Sequence, residues 1–272
     1  MRTAVTLCRV AEAAGGPFVF HAPLVEGFEK AEAAGFDDVE LFFPGPDAVA
    51  VDEVKALCDQ HGLGVAAVGT GAGMVKHGLS LTDPDPSKRD AALEFILAMI
   101  EFGGKLGAPA ILGSMQGKWG GEVSRDQALS WLADALRVAG RTASRFGVPF
   151  IYEPLNRYET NLINHQKTGA EWLEAESLSN IVLLADLFHM NIEEVDVAQA
   201  IRDGGRHIGH VHFADSNRRA MGFGHTDPAP IVEALFEIGY RSTISAEIFP
   251  LPDAETAARQ TMQAIRRLIP GS

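Results

Sequence analysis

The chain has 272 residues, 46% of them hydrophobic, and 23 Lys and Arg against 36 Asp and Glu give it a formal net charge of -13. That length suits one large core, since a (β/α)8 barrel takes roughly 250 residues. The acidic balance argues against a general nucleic-acid binder, because neutralising phosphates supplies most of that affinity, and no apolar run approaches the ~18 residues of a membrane span.

The chain runs from Met1-Arg2-Thr3-Ala4-Val5 directly into a predicted strand, without the charged lead and apolar stretch of a signal peptide, so a cytoplasmic protein is expected. Short apolar or β-branched runs predict strands near 3–7, 38–42, 64–69, 109–113, 148–153, 181–186, 207–213 and 242–248. The first is followed by Cys8-Arg9-Val10-Ala11-Glu12, not by a Gly-x-Gly-x-x-Gly turn, which speaks against a dinucleotide fold. Cys8 and Cys58 form no Cys-x-x-Cys and read as thiols in a reducing compartment. Leu24, Phe28 and Ala31 recur at helical spacing ahead of Gly35. Gly69-Thr70-Gly71-Ala72-Gly73 follows the third strand and reads as a turn that lets backbone approach a ligand.

Further along, Asp83-Pro84-Asp85-Pro86 is a surface turn opening a helix whose buried stripe is Phe95, Ile96, Met99, Ile100 and Leu106, closed by Gly107. Trp119, after the fourth strand, is either a platform for a sugar's apolar face or an interface or loop anchor. Ser124 and Gln127 form a capping box for a helix carrying Leu129, Leu132 and Leu136. Asp253 caps a last helix that turns Met262, Ile265 and Ile269 inward. Strand–helix alternation implies parallel pairing, and eight units point to a closed (β/α)8 barrel forming a single domain over residues 1–272, with an open doubly wound sheet as the alternative.

Polar residues end four of the apolar strands: Glu153 after Phe150-Ile151-Tyr152, Asp186 after Leu183-Leu184-Ala185, His212 after His210-Val211, and Glu247 after Ser245-Ala246. In a parallel barrel these ends gather on one face, where barrel enzymes carry their chemistry. Three converging carboxylates repel one another unless their pKa values rise or a divalent cation sits between them. Three carboxylates and one imidazole favour a fairly hard octahedral ion such as Mn²⁺, Co²⁺ or Mg²⁺. His210 faces the same way as His212 and reads as structural or as a support behind the ligand site rather than as a ligand. Asn156-Arg157-Tyr158-Glu159, His189 and Arg218 lie on the same rim as candidates for substrate oxygens.

The segments Glu153-Pro154-Leu155-Asn156-Arg157-Tyr158-Glu159, Asp186-Leu187-Phe188-His189-Met190-Asn191, His210-Val211-His212-Phe213-Ala214-Asp215-Ser216-Asn217-Arg218 and Ala246-Glu247 resemble the sugar isomerase/epimerase family of xylose isomerase-like TIM barrels. They look most like its ketose 3-epimerases of the D-tagatose and D-allulose type. The resemblance implies one divalent metal held by Glu153, Asp186, His212 and Glu247, with Glu153 and Glu247 as the acid/base pair and Glu159, His189 and Arg218 on substrate oxygens. It implies an isomerase that inverts C3 of a ketose or keto sugar acid through a metal-bound enediolate, and a homodimer or homotetramer. An aldose–ketose isomerase, or a hydroxypyruvate isomerase-like enzyme, is the alternative. A DNA-repair endonuclease on the same barrel would call for more metal ligands and a basic face. The chain departs from the usual pattern at Asp215-Ser216, where Glu-Asn is common, and at Met221-Gly222, where Pro-Gly is common.

Overall fold

Strands covered by helices on one face and packed side chains on the other must be largely apolar on both, and the eight runs are, apart from buried polar residues such as Thr6, Glu40 and His210. The computed structural model describes residues 1–269. The strands are β1 (Arg2–Cys8), β2 (Asp38–Phe42), β3 (Gly64–Gly69), β4 (Ala110–Leu112), β5 (Phe150–Tyr152), β6 (Ile181–Asp186), β7 (Ile208–His212) and β8 (Thr243–Ala246). They pair in parallel in chain order, and β8 pairs back onto β1 from Arg2 opposite Thr243 to Val5 opposite Ala246. The sheet is therefore a closed barrel, and the open doubly wound alternative is excluded.

The helices are α1 (Leu24–Ala34), α2 (Val51–His61), α3 (Ala72–His77), α4 (Pro86–Lys105), α5 (Arg125–Ser144), α6 (Gln166–Ala175), α7 (Leu187–Glu193), α8 (Val197–Gly204), α9 (Ala229–Glu237) and α10 (Ala254–Leu268). Their ends follow the expected chemistry. Ser124 Oγ accepts the Gln127 N–H at 3.2 Å, Asp85 caps α4 through Ser87, and Asp253 Oδ1 accepts the Thr256 N–H at 2.7 Å. Gly35 ends α1 in the left-handed region at φ +84°, which spares a side chain the steric cost of that turn.

The main core lies between strands and helices, where Val39 and Leu41 of β2 join Phe28, Ile96, Met99, Leu132, Leu136 and Ile265. A separate small cluster, Ala67, Ile111, Ile151 and Leu184, fills the barrel interior. Side chains alternate along a strand, so Glu40, between Val39 and Leu41, points inward to that second layer. Both cysteines are free, Cys8 buried and Cys58 half-buried. Among the described residues no helix is long and apolar enough to cross a membrane.

Candidate active site

The four strand-end residues meet at the C-terminal mouth of the barrel. Asp186 and His212 are the last residues of β6 and β7, whereas Glu153 and Glu247 stand one residue beyond β5 and β8. All four are buried. Three carboxylates converge on one ring nitrogen: His212 Nδ1 lies 3.3 Å from Asp186 Oδ2, 3.5 Å from Glu247 Oε2 and 3.9 Å from Glu153 Oε1. Ligand atoms of Glu153, Asp186 and His212 all fall within 4.8 Å of one another.

Local structure holds each group in place. Asp186 Oδ1 caps α7 by accepting the N–H of Phe188 (2.8 Å) and His189 (3.2 Å), which leaves Oδ2 for the cluster. Glu153 is held through its backbone, since Gln116 Nε2 donates to Glu153 O at 2.9 Å while the Tyr152 hydroxyl donates to Gln116 Oε1 at 2.8 Å. A Cβ at position 113 would come within 2.6 Å of Glu153 Oε2, so Gly113 is what makes room for that carboxylate. Arg218 sits at φ +59°, a costly conformation for a side-chain-bearing residue. The surrounding loop imposes it. Buried Asp215 accepts the N–H groups of Ser216, Gly222, Gly224 and Thr226, and its own carbonyl accepts the Arg218 N–H at 2.8 Å.

The three expected substrate-facing residues come together with the cluster. Arg218 Nη2 donates to Glu247 Oε2 at 2.5 Å and lies 3.7 Å from Asp186 Oδ2, and its guanidinium covers the Phe188 ring. Glu159 Oε1 accepts from Asn156 Nδ2 at 3.2 Å and lies 3.9 Å from Arg218 Nη1. The Asn156 backbone N–H (3.3 Å) and side-chain amide (2.7 Å) both meet His189 Nδ1. A backbone N–H can only donate, so Nδ1 is the acceptor and the proton of the neutral ring is on Nε2. That Nε2 is buried, 3.7 Å from Glu153 Oε1, and has no hydrogen-bond partner among the described residues.

The electrostatics follow from crowding. Burial and the charge of Glu247 push the Glu153 carboxyl well above its ordinary range, against the pull of His212. Burial also opposes ionisation of Asp186, but His189, His212 and Arg218 together hold it below its ordinary range. Burial disfavours a charged His212, yet Glu40, Glu247 and Asp186 outweigh it and raise its pKa well above the usual value. His189 goes the other way: burial dominates and lowers it, consistent with a neutral ring. Glu153 Oε1 is buried without a hydrogen-bond partner among the described residues. An orphaned carboxylate oxygen beside two more carboxylates and an imidazole is a donor set that fits a hard divalent cation, whose own charge would relieve the repulsion.

A cavity of about 400 Å³ opens onto this cluster. Glu153, Glu159, His189, Arg218 and Glu247 line one side, while Asp186 and His212 lie beneath it. Val10, Phe18, Phe42 and Val75 line the other, together with Gly69, Thr70, Gly71 and Ala72 of the turn expected to approach a ligand. Trp119 is not in the cavity. Its Nε1 donates to Asn161 O at 2.8 Å, which makes it the loop anchor. Arg157 also turns away, pairing with Glu193 at 2.9 Å. Sequence reasoning missed Glu40, whose carboxylate meets both His210 and His212. The available signal was a lone acid inside the apolar run Val39-Glu40-Leu41.

Residues 28–268 match the family described as xylose isomerase-like TIM barrel. The chain belongs to that family. It is 32% identical over 229 residues to the D-psicose 3-epimerase of Ruminiclostridium cellulolyticum, covering 81% of this chain and 76% of that one. It is also 32% identical over 235 residues to the 3-dehydro-D-guloside 4-epimerase of Escherichia coli, covering 84% and 88%. The D-allulose 3-epimerase structure from Methylomonas sp. superposes with a TM-score of 0.84 at 24% identity, covering 99% of this chain and 98% of that one. The family and these relatives place the chain among carbohydrate epimerases, as the strand-end motifs implied.

Proposed function

We propose that this chain is a divalent-metal-dependent epimerase that inverts C3 of a ketose or keto sugar acid, with residues 1–272 acting as one barrel domain. The observation that carries this reading is the convergence of Glu153, Asp186 and Glu247 on His212 Nδ1 beneath a sugar-sized cavity. These four residues would hold the cation, Mn²⁺ for preference. Bound there, it supplies Lewis-acid stabilisation of charge developing on the substrate carbonyl oxygen.

The chain's own residues do the rest. Glu153 and Glu247 follow β5 and β8, which flank β6 and β7, so the two carboxylates stand at opposite ends of the charged wall with Asp186 and His212 between them. One removes the C3 proton, and the other returns a proton to the opposite face. Such general acid–base help is worth roughly 10²–10⁴-fold. His189 Nε2–H donates to a substrate oxygen. Arg218 and Glu159 fix neighbouring hydroxyls, so that C3 and no other carbon meets the bases. The relatives named above support this assignment, since removing a proton next to a carbonyl is the step a ketose 3-epimerase requires.

A second reading is a 4-epimerase of a 3-keto glycoside. It uses the same proton abstraction next to a carbonyl, and the apolar wall of Val10, Phe18, Phe42 and Val75 favours a substrate with a group appended beyond the sugar. The test is a screen of free and phosphorylated ketoses and a 3-keto glucoside with Mn²⁺, reading products by NMR. A C3 epimer supports the first reading, a C4 epimer of the glycoside the second. Conversion of ketoses to aldoses would point instead to a 1,2-isomerase.

A further inference from the structure

Beneath the strand-end cluster lies a charged group that the reaction as described leaves without a task. Glu40, on β2, is fully buried in the barrel interior. Its Oε2 is 2.7 Å from His210 Nε2 and its Oε1 is 3.0 Å from His212 Nε2, both within hydrogen-bond geometry. The two imidazoles stand edge to face, their centroids 5.4 Å apart. Glu40 does not line the cavity, so it does not touch substrate.

An ionised carboxylate has acceptors only. Both imidazoles must therefore donate Nε2–H to it. His212 is left with Nδ1 as its second nitrogen, and that is the atom on which Asp186, Glu247 and Glu153 converge. On the neutral ring Nδ1 then carries the lone pair that a cation needs, and the hydrogen bond at the far nitrogen fixes both tautomer and ring orientation. None of the three cluster carboxylates can set that tautomer, because each faces Nδ1 itself.

We propose that Glu40 is a positioning residue: it holds His212 with Nε2–H directed into the barrel and Nδ1 presented to the cation, while His210 steadies Glu40 by occupying its other oxygen. The proposal rests on reading Glu153, Asp186, His212 and Glu247 as the cation site.

The test compares Glu40→Leu and Glu40→Gln with wild type, by calorimetric titration of metal-free protein with Mn²⁺ and by ¹⁵N-histidine NMR of the Mg²⁺-loaded protein. Wild type takes up one Mn²⁺ per chain and shows His212 protonated at Nε2. Leucine offers no acceptor and weakens Mn²⁺ binding about 10–100-fold. Glutamine keeps the volume and one acceptor and weakens it less, but turns a donor toward one imidazole and changes that ring's tautomer. If the leucine variant does not fold, the glutamine variant carries the test alone. A core-filling role would lower the melting temperature and leave the Mn²⁺ affinity of folded protein unchanged. That result, with the His212 tautomer intact, overturns the role of Glu40 and leaves the cation site standing. Two Mn²⁺ per chain, one of them lost with Glu40, would make the Glu40 group an ion site in its own right and overturn the proposal. No Mn²⁺ uptake by wild type removes the cation reading and this proposal together.

Discussion

On the β5–β8 side of the barrel mouth, Glu153, Asp186, His212 and Glu247 stand at or just past strand ends, and Asn156, Gln116 and Asp215 brace them or their neighbours. On the β1–β3 side, the wall is Phe18 packed on Phe42 (centroids 4.5 Å apart), with Val10, Val75 and a glycine-bearing turn. One side is charged, buried and fixed by strands. The other is apolar, carried by the segment after β1, the end of β2 and the short helix α3, and has few side chains able to pair with a hydroxyl. Strand ends hold reacting groups to the tolerance that proton transfer needs, whereas an apolar wall sorts substrates by shape.

Substitutions on the two sides should therefore differ in kind. Glu153→Gln or Glu247→Gln should cut epimerisation about 10²–10⁴-fold while the far-ultraviolet circular dichroism stays native. Phe18→Ala should change KM and substrate ranking with kcat nearly intact. Equal losses of kcat from Phe18→Ala and Glu153→Gln would erase the distinction. Next in size is the cation. Removing it with a chelator should abolish turnover and lower the melting temperature by roughly 5 °C relative to protein with Mn²⁺ at about one hundred times its Kd. Unchanged melting would show that the charged side is not organised by metal.

Smaller effects test the supports. His189→Asn removes the Nε2–H donor and should raise KM about fivefold, the worth of roughly 1 kcal/mol for one uncharged hydrogen bond. The smallest concerns Glu193, which clamps the Arg157 loop on the charged side. Burial works against its ionisation, but the Arg157 side chain and backbone N–H hold its pKa below the ordinary range. A depressed folded pKa stabilises the protein above the unfolded value of about 4.3, and that stability is lost as pH falls through the folded value. Glu193→Gln should therefore flatten the acid limb of a melting-temperature profile and leave the neutral region little changed.

The same contrast explains what could be read from sequence. Strand ends are legible because an apolar run broken by Glu153, Asp186, His212 or Glu247 marks both the element and its polar tip. Helix starts at Ser124 and Asp253 are legible because their capping chemistry is local. Glu40 stands out only as a lone acid in an apolar run, and its pairing was not legible. Its partners His210 and His212 are 170 and 172 residues away, and only barrel closure brings them together. Phe18, on a loop, and Val75, on the short helix α3, escaped notice for the same reason, since nothing in either segment's own sequence says that it folds over the mouth. Asp215 read as a departure from the usual motif. Its task, gathering four backbone N–H groups so that Arg218 is forced to φ +59°, exists only once the loop is folded.

The central claim is that Glu153 and Glu247 exchange one proton at the carbon beside a ketose carbonyl. The direct measurement is turnover of a ketohexose by the Mn²⁺-loaded enzyme in D₂O, followed by NMR. The account predicts a C3 epimer carrying solvent deuterium at C3 and none at C1. Deuterium at C1 or C2 with an aldose product, or a C3 epimer that retains its original hydrogen, would contradict it.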